Sequence, residues 1–122
     1  SARNGQVQFN GDTNDAHYFY VQMSAAPVST YSGTGAQVMH SPGTLTDADF
    51  WATGTLDFPF YTLTTQNKTV IAQDCAIRSP SLLGVDAKSA LWDDTSAITS
   101  ILLKITLGNF WAGSRFDLYG VS

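Results

Sequence analysis

The last quarter of the chain contains two short segments in which apolar and polar residues alternate. In the first segment, Ile101, Leu103 and Ile105 occupy every second position, and this period places them on one face of an extended strand. Residues 115–119 resume the alternation after a loop that contains two glycines, which tolerate the backbone conformations of a reversal. We therefore predict that residues 101–119 form a β-hairpin that closes the core of the domain.

The composition extends this preference for strands and turns to the whole chain. All ten acidic residues are Asp and none is Glu; Glu favours helix surfaces, whereas Asp favours turns. No segment has a convincing helical period, and several short β-like segments are separated by turn residues. The length of 122 residues suits one domain. The sequence predicts a single all-β domain over residues 1–122, built as an antiparallel β-sandwich.

Local patterns give more detailed predictions. Residues 6–9 and 16–23 read as strands on either side of the turn signal Asn10-Gly11, which predicts an N-terminal hairpin. Residues 24–49 are rich in Pro, Gly, Ser and Thr and contain one short β-like segment, Ala36 to His40; this composition indicates a surface excursion rather than a second domain. Residues 78–88 also contain Pro and Gly and are predicted to form a loop.

The charge of the chain argues against two classes of partner. Charged residues make up only 13% of the sequence, the formal net charge is −4, and the few Lys and Arg residues are scattered. Binding to nucleic acid or to an anionic membrane surface needs a basic patch. No apolar run approaches the ~20 residues that span a bilayer. We expect neither nucleic acid nor membrane as a partner.

The chain contains residue types that occur in catalytic and metal sites, but they do not form a recognisable motif. His17 lies in an aromatic segment, and no G-x-S-x-G nucleophile elbow occurs in the chain. Asp12 and Asn14 could approach a calcium ion, but side chains in such a turn more often bond their own backbone. Asp93 and Asp94 are a poor glycosidase pair, because adjacent residues of a strand point to opposite faces. We predict no enzymatic activity, no cofactor and no metal site.

The aromatic residues suggest a different kind of site. An exposed ring can stack on the C–H bonds of a sugar while neighbouring polar groups bind its hydroxyls. Trp51 lies at the edge of a predicted strand and Trp111 in the loop of the predicted closing hairpin, so both are candidate glycan-binding residues, together with Tyr31 and Asp49. Core packing is the alternative for each ring, and it is the interpretation that we favour for Trp92.

Several motifs, taken in order along the chain, resemble a domain that recurs in virion proteins of tailed bacteriophages. The resemblance covers nearly the whole chain, and the ending is its most specific part. The motifs are Phe9-Asn10-Gly11-Asp12-Thr13, Tyr18-Phe19-Tyr20, Asn67-Lys68-Thr69-Val70, Ser96-Ala97-Ile98-Thr99-Ser100-Ile101, Gly108-Asn109-Phe110 and Ala112-Gly113-Ser114-Arg115-Phe116-Asp117-Leu118-Tyr119-Gly120.

The resemblance implies a structural role rather than chemistry. Such domains are jelly-roll-like β-sandwich modules at the exposed ends of head fibres, capsid decoration proteins and tail fibres. The implied location is the virion surface, after assembly in the cytoplasm of the bacterial host. The implied partners are further copies of the chain, most often in a trimer, other virion proteins and host-surface glycan. No catalytic residue or cofactor is implied.

The resemblance also implies a strand before the segment that here begins at Ser1. We therefore expect the chain to be the C-terminal part of a longer virion protein, or to receive that strand from elsewhere. Without it, the strand at residues 6–9 would leave a sheet edge exposed, which favours function as an oligomer. The main alternative is a free-standing carbohydrate-binding module or lectin of cellular origin, and a small hydrolase is a third hypothesis.

Overall fold

The described part of the chain is built from antiparallel strands. The computed structural model describes residues 4–25, 28–35, 37–40, 52–79, 82–106, 108–110 and 112–121. A 3-10 turn, Asp15–His17, precedes the second strand. These residues include no helix that is long and apolar enough to cross a bilayer. The strands are β1 (Asn4–Phe9), β2 (Tyr18–Ala25), β3 (Val28–Thr34), β4 (Gln37–His40), β5 (Ala52–Asp57), β6 (Lys68–Ser79), β7 (Leu82–Trp92) and β8 (Ile101–Ile105).

The eight strands form two sheets. One has three strands in the order β4-β1-β8, and the other has five in the order β3-β2-β7-β6-β5. Every neighbouring pair is antiparallel. The all-β antiparallel fold is therefore confirmed, and two such sheets that share one core have the arrangement of a β-sandwich. The jelly-roll-like connectivity that the resemblance implies stays a prediction.

Aromatic rings from both sheets meet in the core. Phe9 of β1 lies with its ring centroid 5.4 Å from that of Trp92 on β7, and Tyr18 of β2 stacks on Trp92 at 6.3 Å. The core placement favoured for Trp92 is confirmed, since its side chain is almost completely buried. Smaller residues complete the core: Val7, Val70, Ala72, Ala90 and Ile98, with Tyr20, Leu56, Phe58 and Leu103 packed against them.

The predicted N-terminal hairpin is wrong, because β1 and β2 belong to different sheets. The backbone φ angles of Asn10 and Gly11 are positive, and the chain crosses there from one sheet to the other instead of folding back on β1. Strand β1 pairs with β4 on one side and β8 on the other. It is thus the middle strand of its sheet, and the expectation of an exposed edge at residues 6–9 is also wrong.

Two predicted irregular regions contain strands. Residues 24–49 include β3, which the sequence pattern did not predict and which pairs with β2, and β4, which lies within the predicted β-like segment 36–40 and pairs with β1. Residues 78–88 are not a loop, because β6 extends to Ser79 and β7 begins at Leu82. Gly84 lies inside β7 opposite Ala76, and both are buried. The strand therefore continues through this glycine instead of breaking there.

Only the first half of the predicted closing hairpin forms. Strand β8 pairs with β1, whereas residues 114–121 have no regular secondary structure. Local contacts hold the start of this segment instead: the rings of Phe110 and Phe116 lie 4.8 Å apart, and Arg115 pairs with Asp117 at 2.8 Å. These contacts join near neighbours in the chain and do not require a partner strand.

Candidate functional site

The candidate glycan-binding residues cannot be assembled into a site. Trp51, Trp111 and Asp49 lie outside the described residues. Tyr31 lies on β3 opposite Gln22 of β2, and only its backbone is described. The predicted glycan site therefore stays a prediction.

The five-stranded sheet has two faces of unusual character. Alternate residues of β2, β6 and β7 point toward the three-stranded sheet, and the intervening residues point away from it, as the pleat requires. The face turned toward the core is apolar where it meets Trp92, but polar and charged farther along the strands. The face turned away from the core is mostly apolar. We call this second face the outer face.

The polar part of the inward-pointing face is a buried hydrogen-bonded cluster. Gln22 Nε2 donates to Ser24 Oγ at 2.8 Å and to Asp86 Oδ1 at 3.3 Å, and the Ser24 hydroxyl also donates to Asp86 Oδ1. Lys88 Nζ lies 3.3 Å from Asp74 Oδ2, with side-chain exposures of only 1% and 3%. Buried charges need such partners, because their desolvation is costly. These groups are placed to bond one another within the sandwich, which is a structural arrangement.

The outer face carries six large apolar side chains that are between 46% and 59% exposed. None of the outward-pointing residues described on β2, β6 and β7 is Lys, Arg or Asp. Asp57, at the end of edge strand β5, pairs with Ile71 at the margin of this face. The six side chains are Phe19, Val21, Met23, Ile71, Leu83 and Val85.

Strand register gives the outer face its relief. Val21 of β2 lies opposite Ser89 of β7, and Ser89 in turn lies opposite Ile71 of β6. In the next row, Ala87 of β7 lies beside Met23. Ser89 is thus flanked by Val21 and Ile71, and Ala87 by Met23 and Gln73. Because Ser89 and Ala87 are smaller than these neighbours, a shallow depression is expected along β7.

The apolar surface of this face is large for a small domain. The six side chains, each about half exposed, present on the order of 500 Å² of apolar area, which is about the largest patch that a typical monomer carries. The largest apolar patch of a monomer is often functional. The outer face is the candidate functional site.

A second cluster, around Asp12, contains a histidine and a carboxylate. The Asp12 carboxylate accepts hydrogen bonds from Trp92 Nε1 and His17 Nδ1, both at 2.8 Å, and from the backbone N–H of Asn14. The bond from Trp92 is the main reason why the pKa of Asp12 lies below its usual value of 3.8, with His17 and Asn14 acting in the same direction. This carboxylate is therefore ionised at neutral pH.

The bonding of His17 fixes the role of this cluster. Since a carboxylate only accepts, His17 Nδ1 carries the proton, and Nε2 accepts from the Asn14 side-chain amide at 3.0 Å. Both ring nitrogens are used, and the described ring contacts include no hydroxyl or thiol nucleophile. Asn14 also accepts from the backbone N–H of Ala16, as expected for an Asx turn. The cluster fastens the loop after β1 to the end of β7.

The described residues offer no cluster of metal ligands. Among the described His, Cys and Asp side chains, no group of three or more is arranged to hold a metal ion. Cys75 lies on β6, and its neighbour across the sheet is Val85. Its side chain is partly exposed on the outer face.

The sequence pattern separates the two faces of β7, but it does not show which face is exposed. Leu83 and Val85 alternate with Gly84 and Asp86, and this period separates the two faces of a strand. The apolar set would ordinarily be assigned to the core.

Comparison of the chain with protein-family models, curated proteins and solved structures gives no significant match.

Proposed function

We propose that this chain is a structural module of a tailed-phage particle, displayed on the virion surface as a capsid decoration protein, head fibre or tail fibre. It has no enzymatic activity and works as an oligomer, most simply the trimer that the sequence resemblance implies. It is assembled in the bacterial cytoplasm next to other virion proteins. The observation that carries this proposal is the exposed outer face of the five-stranded sheet.

Physical considerations favour an assembly role for that face. Half-exposed side chains such as Val21 and Met23 contribute about 25 cal/mol for each Å² of apolar area that a neighbouring protein removes from water. A module fixed in a particle has neighbours for its whole lifetime, so such a surface is covered in the assembled state. A freely diffusing enzyme of this size would expose the same surface to nonspecific association.

The polar clusters support the same assignment. The charged side chains Asp74, Asp86 and Lys88 are buried inside the sandwich, away from the surface that a substrate would approach. His17 and Asp12 are engaged with Asn14 and Trp92. The polar groups described here thus have structural partners, and they support a role in which the surface, rather than a reactive centre, performs the function.

Labelling of particles tests the proposal. Gold-conjugated antibodies raised against residues 1–122 should bind at regular positions on purified virions of a phage that encodes the chain. Particles from which the gene has been deleted provide the control and should remain unlabelled. Recovery of the chain only in fractions free of particles, with bare virions, would overturn the proposal and favour a free-standing protein of cellular origin.

Adhesion to host-surface glycan is a second candidate function, favoured by the turn after β5. Phe60 has a φ of +55°, which is uncommon for a bulky residue. The turn is held by bonds from Leu63 N to the Phe60 carbonyl and from Ile98 N to the Tyr61 carbonyl. The Phe60 and Tyr61 side chains are both more than half exposed. Two adjacent exposed rings are suited to stacking on sugars.

A glycan array compares this turn with the tryptophans of the sequence-based prediction. Loss of array binding in Tyr61→Ala, with an unchanged melting temperature, would assign adhesion to the turn. The same loss in Trp51→Ala or Trp111→Ala would assign it to the predicted site. Absence of binding by the intact oligomer would remove adhesion and leave the structural role.

A further inference from the structure

The outer face of the five-stranded sheet requires an occupant, and its features favour a second copy of this chain. We infer that outer faces pack against one another between copies, so that each copy contributes Phe19, Val21, Met23, Ile71, Leu83 and Val85. This inference rests on the proposed function and names the partner of the same surface.

The relief of the face is self-complementary. Val21 and Met23 form an apolar ridge on β2, and Ser89 and Ala87 form the depression beside it on β7. A ridge next to a depression of similar length allows the ridge of one copy to enter the depression of another. Repeated around a three-fold axis, the ridge of each copy would enter the depression of the next, and the contact would close a ring of three copies, as in the proposed trimer.

The area is sufficient for a specific contact. Two copies that each cover on the order of 500 Å² would remove about 1,000 Å² from water, the lower bound for a biological interface. The outward polar residues Ser89, Gln73 and Thr69 would extend the contact beyond the apolar centre. A small apolar ligand would leave most of this flat surface exposed.

The distribution of charge also favours a second copy of this chain as the partner of the outer face. The chain carries a net charge of −4, so two copies repel one another through most of their surfaces. The charged residues of β6 and β7 (Asp74, Asp86 and Lys88) point inward, and the outward positions described on β2, β6 and β7 carry no Lys, Arg or Asp. The outer face is therefore a surface on which two copies can approach closely with little repulsion, and it offers no basic group to an anionic lipid or nucleic acid.

Sedimentation velocity of residues 1–122 between 1 and 100 μM tests the inference with a matched pair of variants. Leu83 lies on the outer face and Leu102 on β8 of the other sheet, and both side chains are 54% exposed. Leu83→Lys should raise the dissociation constant at least tenfold, because association would desolvate an ammonium group. Leu102→Lys should associate like the wild type. Val21→Lys repeats the test nearer the centre of the face if Leu83→Lys fails to fold.

The outcomes separate this inference from the proposed function. The inference is supported if the wild type associates, the outer-face variants associate more weakly, and Leu102→Lys associates like the wild type. A wild type that stays monomeric at 100 μM, or equal association of all variants, would overturn it. Positive gold labelling of virions with a monomeric chain would retain the virion location of the proposed function, remove its oligomer, and assign the outer face to a different virion protein.

Discussion

Tyr18 connects the two sheets through its hydroxyl as well as its ring. The hydroxyl accepts the backbone N–H of Phe9 at 3.0 Å and donates to the backbone carbonyl of Asp12 at 3.0 Å. Burial is the main cause that raises the pKa of this hydroxyl above its usual value of 10.0, so it keeps the proton that it donates. One buried side chain thus satisfies the backbone at the point where the chain leaves β1.

Tyr18→Phe should lower the free energy of unfolding by about 1–3 kcal/mol, because the buried Phe9 N–H loses its acceptor while the ring stays in place. Urea denaturation measures this loss. Tyr61→Phe is the matched control, since the Tyr61 side chain is about half exposed, and its unfolding should change by less than about 0.5 kcal/mol. Equal effects of the two substitutions would contradict the bridging role of Tyr18.

The Asp12 carboxylate should make stability depend on pH in the acid range. Its pKa in the folded protein is lowered, chiefly by the hydrogen bond from Trp92 Nε1. Because the pKa is lower in the folded state, ionised Asp12 stabilises the fold. This contribution is complete at pH values above the pKa of the unfolded state, about 3.9 for Asp. It is lost as the pH falls through the pKa of the folded state. Urea unfolding at pH 7, 4 and 2.5 should show Asp12→Asn less stable than wild type at pH 7, with the difference shrinking below about pH 4. A difference that is constant over this range would contradict the prediction.

At the level of elements, the C-terminal segment differs most from the sequence-based prediction. Its side chains are between 52% and 95% exposed at Phe116, Leu118, Tyr119 and Val121. No backbone hydrogen bond joins residues 112–121 to the rest of the described chain. A segment with so few contacts opens readily.

Limited trypsin digestion distinguishes this exposed segment from the hairpin that the sequence pattern predicts. Arg115 is 81% exposed and lies in irregular structure, whereas Lys68, Lys88 and Lys104 lie on strands. Cleavage after Arg115 should come first and leave residues 1–115 folded, as seen by mass spectrometry and circular dichroism. Protection of Arg115 equal to that of the strand lysines would show that the segment pairs with a strand in solution.

Sequence patterns identified several strands correctly, because local alternation fixes an extended conformation. Residues 6–9 and 101–105 lie in β1 and β8, and most of residues 16–23 lies in β2. Strand β3 was missed because its Ser and Thr side chains give no apolar alternation, and its conformation comes from pairing with β2. The two predicted hairpins failed for a related reason. Partner choice depends on contacts distant in sequence, such as β1 with β8, which no local pattern records.

At the scale of the whole molecule, the sequence could not predict which face of each strand points into the core. The period of two in β7 separates Leu83 and Val85 from Asp86 and Lys88, but it does not say which set lies inside. The usual assignment places the apolar set in the core. Here the charged set lies inside, because Asp86 bonds to Gln22 and Lys88 to Asp74. Those partners come from strands β2 and β6, so only the assembled sheet could reveal the outer face.

Association through the outer face should make the thermal stability of the whole molecule depend on protein concentration. A contact formed only by folded copies stabilises the folded state by mass action. For a domain of this size, a hundredfold rise in concentration, from 2 to 200 μM, should raise the melting temperature by roughly 4 °C. Scanning calorimetry with a rescan for reversibility measures the shift. Val21→Lys should abolish the dependence, because a charge would be desolvated within the contact, whereas Leu102→Lys should preserve it. A wild-type melting temperature that does not change with concentration would show that the folded copies remain separate, and the outer face would then require a partner other than this chain.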